Sequence, residues 1–259
     1  MASIDCKFFS ETLGMPASMR VLLPEPSPHR RTRTEHPVLF LLHGLIDDES
    51  SWGRFTSLER YVSTLDLAVV MPNVHRSYYT NMKHGYRYWD FVSDELLYKA
   101  RALFPLSTKR EHTFVAGLSM GGYGALKLGL SLPDTFAAAA SMSGSCDLAN
   151  LQTRPDELAL IFGDAAGIRA SGGDLSELGR TLAEARGPKP KIFQSCGTED
   201  ALLDGNRRFR DLMAPLGFDY HYEEHPGLHD WACWDGAIQR VLRWLPLPDI
   251  GSPAPAPTK

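Results

Sequence analysis

Cysteine is scarce and unpaired in this chain. Cys6, Cys146, Cys196 and Cys233 stand far apart and form no C-x-x-C pair, so neither a disulfide framework nor a zinc site is indicated. Buried free thiols are expected, with no metal and no cofactor. Basic charge is short as well. Lys and Arg number 27 against 31 Asp and Glu, a formal net charge of −4, and nucleic-acid binding needs clustered cations that release counterions from phosphate. The one basic run, His29-Arg-Arg-Thr-Arg33, lies among Pro-rich residues and reads as a solvated loop between strands. Long apolar runs are missing too: no stretch approaches the roughly 20 residues that span a bilayer, and Met1–Lys7 lacks the apolar core of a signal peptide. A soluble cytoplasmic protein is expected, with no nucleic-acid or membrane partner; a symmetric homo-oligomer is compatible with the sequence.

What is present is an alternation of buried-type strands and amphipathic helices. Val38–Leu42 is a continuous apolar run ended by His43-Gly44, and Leu67–Met71 before Pro72 repeats it, the pattern of strands buried on both faces. Similar runs occur at Thr113–Ala116, Ala137–Met142, Lys191–Ser195 and Asp219–Glu223. Helical spacing marks Ser51–Leu65, Tyr88–Phe104, Met120–Leu132, Leu175–Ala185, Asn206–Leu216 and Trp231–Leu245. Ile4–Ser10 and Ser18–Leu23 read as an antiparallel edge hairpin. The expected fold class is α/β: a mostly parallel, doubly wound sheet in one domain over 1–250, with active residues on loops at the carboxyl ends of the strands. Residues 146–190, rich in glycine and lacking a clear strand, are expected to form a small cap or insertion, and 251–259 a flexible Pro-rich tail.

Gly117-Leu-Ser119-Met-Gly121, placed between a strand and a helix, is a G-x-S-x-G nucleophile elbow, the mark of the α/β-hydrolase fold. Lifting the serine oxygen clear of the strand forces a strained turn, and glycines on either side remove Cβ atoms that would collide. His43-Gly44-Leu45, after the first buried strand, can offer a loop N–H to the point faced by the N–H of Met120, completing an oxyanion hole. His43 itself reads as a prop for that loop. The fold orders its triad as serine, acid, histidine. His229, between the last strand and the last helix, is the expected base ahead of His225, which sits beside Pro226. Asp200 follows the preceding strand and is the expected acid, with Glu199 and Asp204 as rivals.

Taken together, LLHGLIDDESSW at Leu41–Trp52, PNVHRSYYT at Pro72–Thr80, GLSMGGYGALKL at Gly117–Leu128, SGS at Ser143–Ser145, CGTED at Cys196–Asp200 and PGLHDWACWD at Pro226–Asp235 resemble the bacterial tributyrin and acetyl esterases of the esterase D group, relatives of S-formylglutathione hydrolases. The resemblance implies Ser119, Asp200 and His229 as triad, Leu45 and Met120 as oxyanion donors, and Trp52, Arg76, Ser77, Tyr79 and Trp231 at the border of the substrate pocket. Val74-His75 departs from the pair often found before Arg-Ser in that family, so the polar rim of the pocket is expected to differ. The expected activity is hydrolysis of short-chain carboxylic esters through an acyl-serine. S-formylglutathione thioester hydrolysis, acyl transfer to an alcohol and a non-catalytic binding role on the same fold are the alternatives.

Overall fold

A computed structural model of the chain describes residues 1–25, 34–148 and 155–248. The basic run at 29–33 and the Pro-rich tail therefore lie outside the described residues. Eight strands form one sheet: β1 (Ala2–Ser10), β2 (Met15–Leu23), β3 (Val38–Leu42), β4 (Ala68–Pro72), β5 (Thr113–Leu118), β6 (Ala138–Met142), β7 (Lys191–Gly197) and β8 (Tyr220–His225). Their order is β1-β2-β4-β3-β5-β6-β7-β8. The β1–β2 hairpin is antiparallel and joins antiparallel to β4, while β4, β3, β5, β6, β7 and β8 run parallel.

The continuous apolar runs follow from burial on both faces. In β3, Val38, Phe40 and Leu42 enter one core while Leu39 and Leu41 enter the other, and β4 and β5 alternate in the same way, as the two-residue period of a strand requires. Helices α1 (Ser51–Phe55), α2 (Leu58–Val62) and α10 (Trp231–Trp244) cover the second face. The first is covered by α3 (Tyr88–Asp90), α4 (Leu96–Leu103), α5 (Met120–Ser131), α6 (Pro155–Phe162), α7 (Ala165–Ala170), α8 (Leu175–Glu184) and α9 (Leu203–Met213).

Two expected helices are interrupted. The single helix read over Ser51–Leu65 is split into α1 and α2 because Thr56 turns extended, at φ −134° and ψ 172°. Its hydroxyl donates to the Trp52 carbonyl at 2.5 Å and accepts from the Leu58 N–H at 3.1 Å, so the side chain takes over bonds that the helix ladder would make. The helix read over Tyr88–Phe104 contains a π-helical turn, Phe91–Glu95, between α3 and α4. That turn carries Glu95 to the β1–β2 hairpin, where its carboxylate accepts from the Ser10 hydroxyl and from the N–H groups of Glu11 and Thr12.

Candidate active site

Ser119 lies between β5 and α5 with φ 52° and ψ −117°, a left-handed conformation that a residue with a Cβ adopts only under constraint from its surroundings. Close approach supplies that constraint. A Cβ on Gly117 would run into the Gly121 carbonyl, and one on Gly121 would sit 2.5 Å from the Leu42 oxygen and 2.6 Å from the His43 oxygen. Both glycines of the elbow are thus spaces the backbone itself fills. The Ser119 N–H donates to the Met142 carbonyl at 2.9 Å, and its carbonyl accepts from the Ser145 N–H at 3.2 Å, so the elbow is fastened to the β6 end.

The Ser119 Oγ lies 2.9 Å from His229 Nε2, and His229 Nδ1 lies 2.8 Å from Asp200 Oδ2. A carboxylate accepts only, so Nδ1 carries the proton and Nε2 is left to receive one from the serine. The Asp200 side chain is completely buried, whereas that of His229 keeps 33% of its surface. Burial works to raise the Asp200 pKa. The His229 ring, the Leu202 N–H and the Ser143 hydroxyl outweigh it and hold the carboxyl below its ordinary value.

The rivals read from sequence have other partners. Glu199 accepts from the Gly227 N–H while its own N–H donates to the Gly227 carbonyl, tying the Asp200 loop to the His229 loop. Asp204 is exposed in the first turn of α9. His225 Nδ1 lies 3.3 Å from the Pro226 carbonyl oxygen and 3.9 Å from Cys233 Sγ.

Met120 is the first residue of α5, so its N–H has no acceptor within the helix. Leu45 follows Gly44 in a turn after β3, and His43 braces that turn. His43 Nδ1 donates to the Gly44 carbonyl at 2.7 Å and Nε2 accepts from the Val74 N–H at 3.1 Å. Full burial lowers its pKa to about 4, so the ring is neutral and joins the loops after β3 and β4.

Three residues read as pocket border lie in the core. Trp52 has no exposed surface and donates its Nε1–H to the Leu42 carbonyl at 3.1 Å. Tyr79 is equally buried, with its hydroxyl on the His43 carbonyl oxygen, and buried Ser77 accepts from the Tyr79 N–H. They support the loops from behind, because each aromatic polar tip has its acceptor inside the protein. Arg76 pairs in bidentate fashion with Glu157 of α6. Trp231 is half-buried, stacked on Phe55 with ring centres 5.1 Å apart.

Sequence reasoning gave no part to Asn206 or Gln194. Both are fully buried. Asn206 donates to the carbonyls of Gly144 and Leu202 and accepts from Gln194 Nε2, spanning the loop behind Ser119 and the turn after Asp200. A lone polar residue among the apolar positions of α9 was the available signal.

A strained serine at a strand-to-helix turn, bonded to a histidine and a buried carboxylate at the carboxyl edge of a mostly parallel sheet, belongs to a serine hydrolase of the α/β-hydrolase fold. The chain is a member of the Esterase family, whose model matches residues 10–245. It is similar to the acetyl esterase of Caldicellulosiruptor saccharolyticus, 29% identical over 95% of this chain and 98% of that protein. Among solved structures it is similar to the fluorophosphonate-binding serine hydrolase FphF of Staphylococcus aureus, with TM-score 0.87, 36% identity and coverage of 95% and 99%. An S-formylglutathione hydrolase, FrmB, from the same organism follows, with TM-score 0.84, 36% identity and coverage of 95% and 98%. The protein is a serine esterase. Among the described residues no helix is long and apolar enough to cross a membrane.

Proposed function

We propose that the protein hydrolyses small, uncharged carboxylic esters by two-step acyl transfer, with Ser119 as nucleophile, His229 as general base and acid, and Asp200 as the group that orients the imidazole. The observation that carries this reading is the unbroken chain from Ser119 Oγ through His229 to Asp200. Ser119 Oγ attacks the ester carbonyl carbon as its proton passes to His229 Nε2. The resulting oxyanion accepts from the N–H groups of Met120 and Leu45. Collapse expels the alcohol, which takes the proton from His229, and leaves an acyl-Ser119 ester. Water, deprotonated by His229, then releases the acid. Buried Asp200 stabilises the imidazolium formed in each half of the cycle without taking the proton.

A second reading, supported by the likeness to FrmB, is thioester hydrolysis of S-formylglutathione. The side chains nearest the machinery along the chain favour the oxygen ester. Ile46, next to Leu45, is 76% exposed, and Leu228, next to His229, is 57% exposed. Glutathione carries two carboxylates that need cations, and Arg76 already holds Glu157. Uncharged alcohols of the tributyrin kind fit such a rim better. Of the described part of the segment 146–190, α6 borders this rim as a small cap through the pair that Glu157 makes with Arg76, and the enzyme works in the cytoplasm without cofactor. Turnover of p-nitrophenyl acetate, tributyrin and S-formylglutathione by the purified protein tests this. Preference for S-formylglutathione would replace the first reading with the second, and inactivity on all three would remove both.

A further inference from the structure

The last helix of the chain begins with an arrangement that joins helix capping to the proposed base. Asp230 is the N-cap of α10, in extended conformation, and its side chain accepts from the Cys233 N–H at 3.0 Å. His229 therefore occupies the position before the cap, and Trp234 the fourth helical position. In many helices those two places hold apolar side chains that pack on each other and fix the angle at which the chain enters the helix. Here the imidazole takes the outer place. The His229 and Trp234 rings meet edge to face, with centres 4.9 Å apart and planes at 90°.

Trp234 is itself held firmly. It is 6% exposed, packs edge to face on Trp231 at 5.4 Å, and belongs to the core cluster with Ile238 and Val241. Its Nε1–H is buried and finds no acceptor among the described residues. Buried tryptophan N–H groups usually do find one, so hydrogen bonding does not account for an indole at this position, and ring contact does.

We infer that Trp234 is a positioning residue for the proposed base, holding the His229 imidazole in line while Ser119 is acylated. The inference rests on the acyl-transfer reading given above. In the free enzyme the ring is pinned at both nitrogens, by Asp200 and by Ser119. Once Ser119 Oγ is esterified it has no proton to give, and the bond to Nε2 is lost. The imidazole then keeps one hydrogen bond, at Nδ1, and is free to swing about it except where Trp234 blocks the path. Misplacement by about 1 Å costs on the order of a hundredfold in rate, and the step exposed to it is deacylation.

The test is pre-steady-state hydrolysis of p-nitrophenyl butyrate by Trp234→Leu, with Trp234→Met used if the leucine variant does not fold and Trp234→Phe as the conservative partner. The expected result is a fall in kcat of about tenfold or more, a parallel fall in KM, and a burst of p-nitrophenol equal to the active enzyme, because acyl-enzyme accumulates when its breakdown slows. Trp234→Phe restores most of kcat. A variant with kcat within twofold of wild type, or one that loses kcat and kcat/KM equally without a burst, overturns the inference. Ser119→Ala serves as the separate control: if it still turns over this substrate, the acyl-serine reading falls first.

Discussion

Lys127 holds its ammonium nitrogen 4.5 Å from the centre of the Trp89 ring and 2.8 Å from the Thr80 hydroxyl oxygen. It is 1% exposed, in a helix whose residues Met120–Leu130 are all buried. Among the described residues no carboxylate lies within ion-pair distance of it. The cation is thus kept in the core by a ring face, one hydroxyl and the Tyr79 carbonyl at 3.5 Å.

Desolvation lowers the Lys127 pKa to about 7, from an ordinary 10.5. The unfolded chain therefore binds more protons at this position than the folded one between those two values, and stability gains a term that rises with pH across that window. Below about pH 7 both states are protonated and the folded state bears the full cost of the buried charge. Urea midpoints of wild type and Lys127→Met, compared from pH 7 to pH 9, should diverge. The wild-type curve should climb relative to the variant, and parallel curves would show that the ammonium titrates normally.

The elbow glycines are filled space, so the smallest addition should be costly. Gly121→Ala places a methyl group against the carbonyl oxygens of Leu42 and His43, with no flexible side chain to yield. Overpacking of this kind costs about 1–3 kcal/mol. The backbone that must shift carries Met120 and the turn before Leu45, and activity on p-nitrophenyl acetate should fall by about tenfold or more alongside a lower melting temperature. Wild-type kcat and melting temperature in the Gly121→Ala variant would contradict the packing described.

Exchange of Asp200 for asparagine separates charge from shape. The amide still fits the buried place and can still accept from the Leu202 N–H, yet it no longer supplies the negative charge that stabilises an imidazolium, and it can offer N–H where Nδ1 needs an acceptor. The kcat of Asp200→Asn should fall by about a hundredfold or more with KM little changed, whereas Glu199→Gln should keep most activity because its carboxylate serves the Gly227 backbone. Steady-state kinetics on both variants checks this, and the opposite ranking would reassign the acid.

The sheet and the elbow were legible in the sequence because both rest on local signals. Apolar runs such as Val38–Leu42 mark a strand buried on both faces, and G-x-S-x-G has a steric cause within five residues. The break at Thr56 was not legible, since a threonine hydroxyl competes with a helix only where tertiary packing lets it. Nor were the inward contacts of Trp52 and Tyr79: their aromatic spacing suits a core as well as a cleft, and their partners, the carbonyls of Leu42 and His43, belong to another strand end. The left-handed turns at His75, Tyr78 and Tyr79, each at φ 50°, carry no glycine to announce them. Long-range partners decide such features, and a single sequence does not print them.

The segment from 146 to 190 sets the last expectation, which concerns acyl length. Its described apolar side chains Ile161, Phe162, Ile168, Leu175 and Leu182 all join the core, and Leu160 is the one exposed large apolar residue of its described helices. Tyr78 packs between Tyr123 and Phe162, with ring centres 5.8 and 6.2 Å away. Among the described residues of the segment no long apolar lid face is left over for a fatty chain. Each methylene that fits an apolar pocket adds about 0.8 kcal/mol, whereas each one forced against closed packing costs roughly 1–3 kcal/mol. The kcat/KM for p-nitrophenyl esters should therefore peak between acetyl and butyryl and fall about tenfold or more by octanoyl, a barrier change of roughly 1.4 kcal/mol. A series from two to twelve carbons measures it. A profile still climbing at dodecanoyl would mean that these helices open to expose a lipid groove, and the preference for small acyl groups would have to be abandoned.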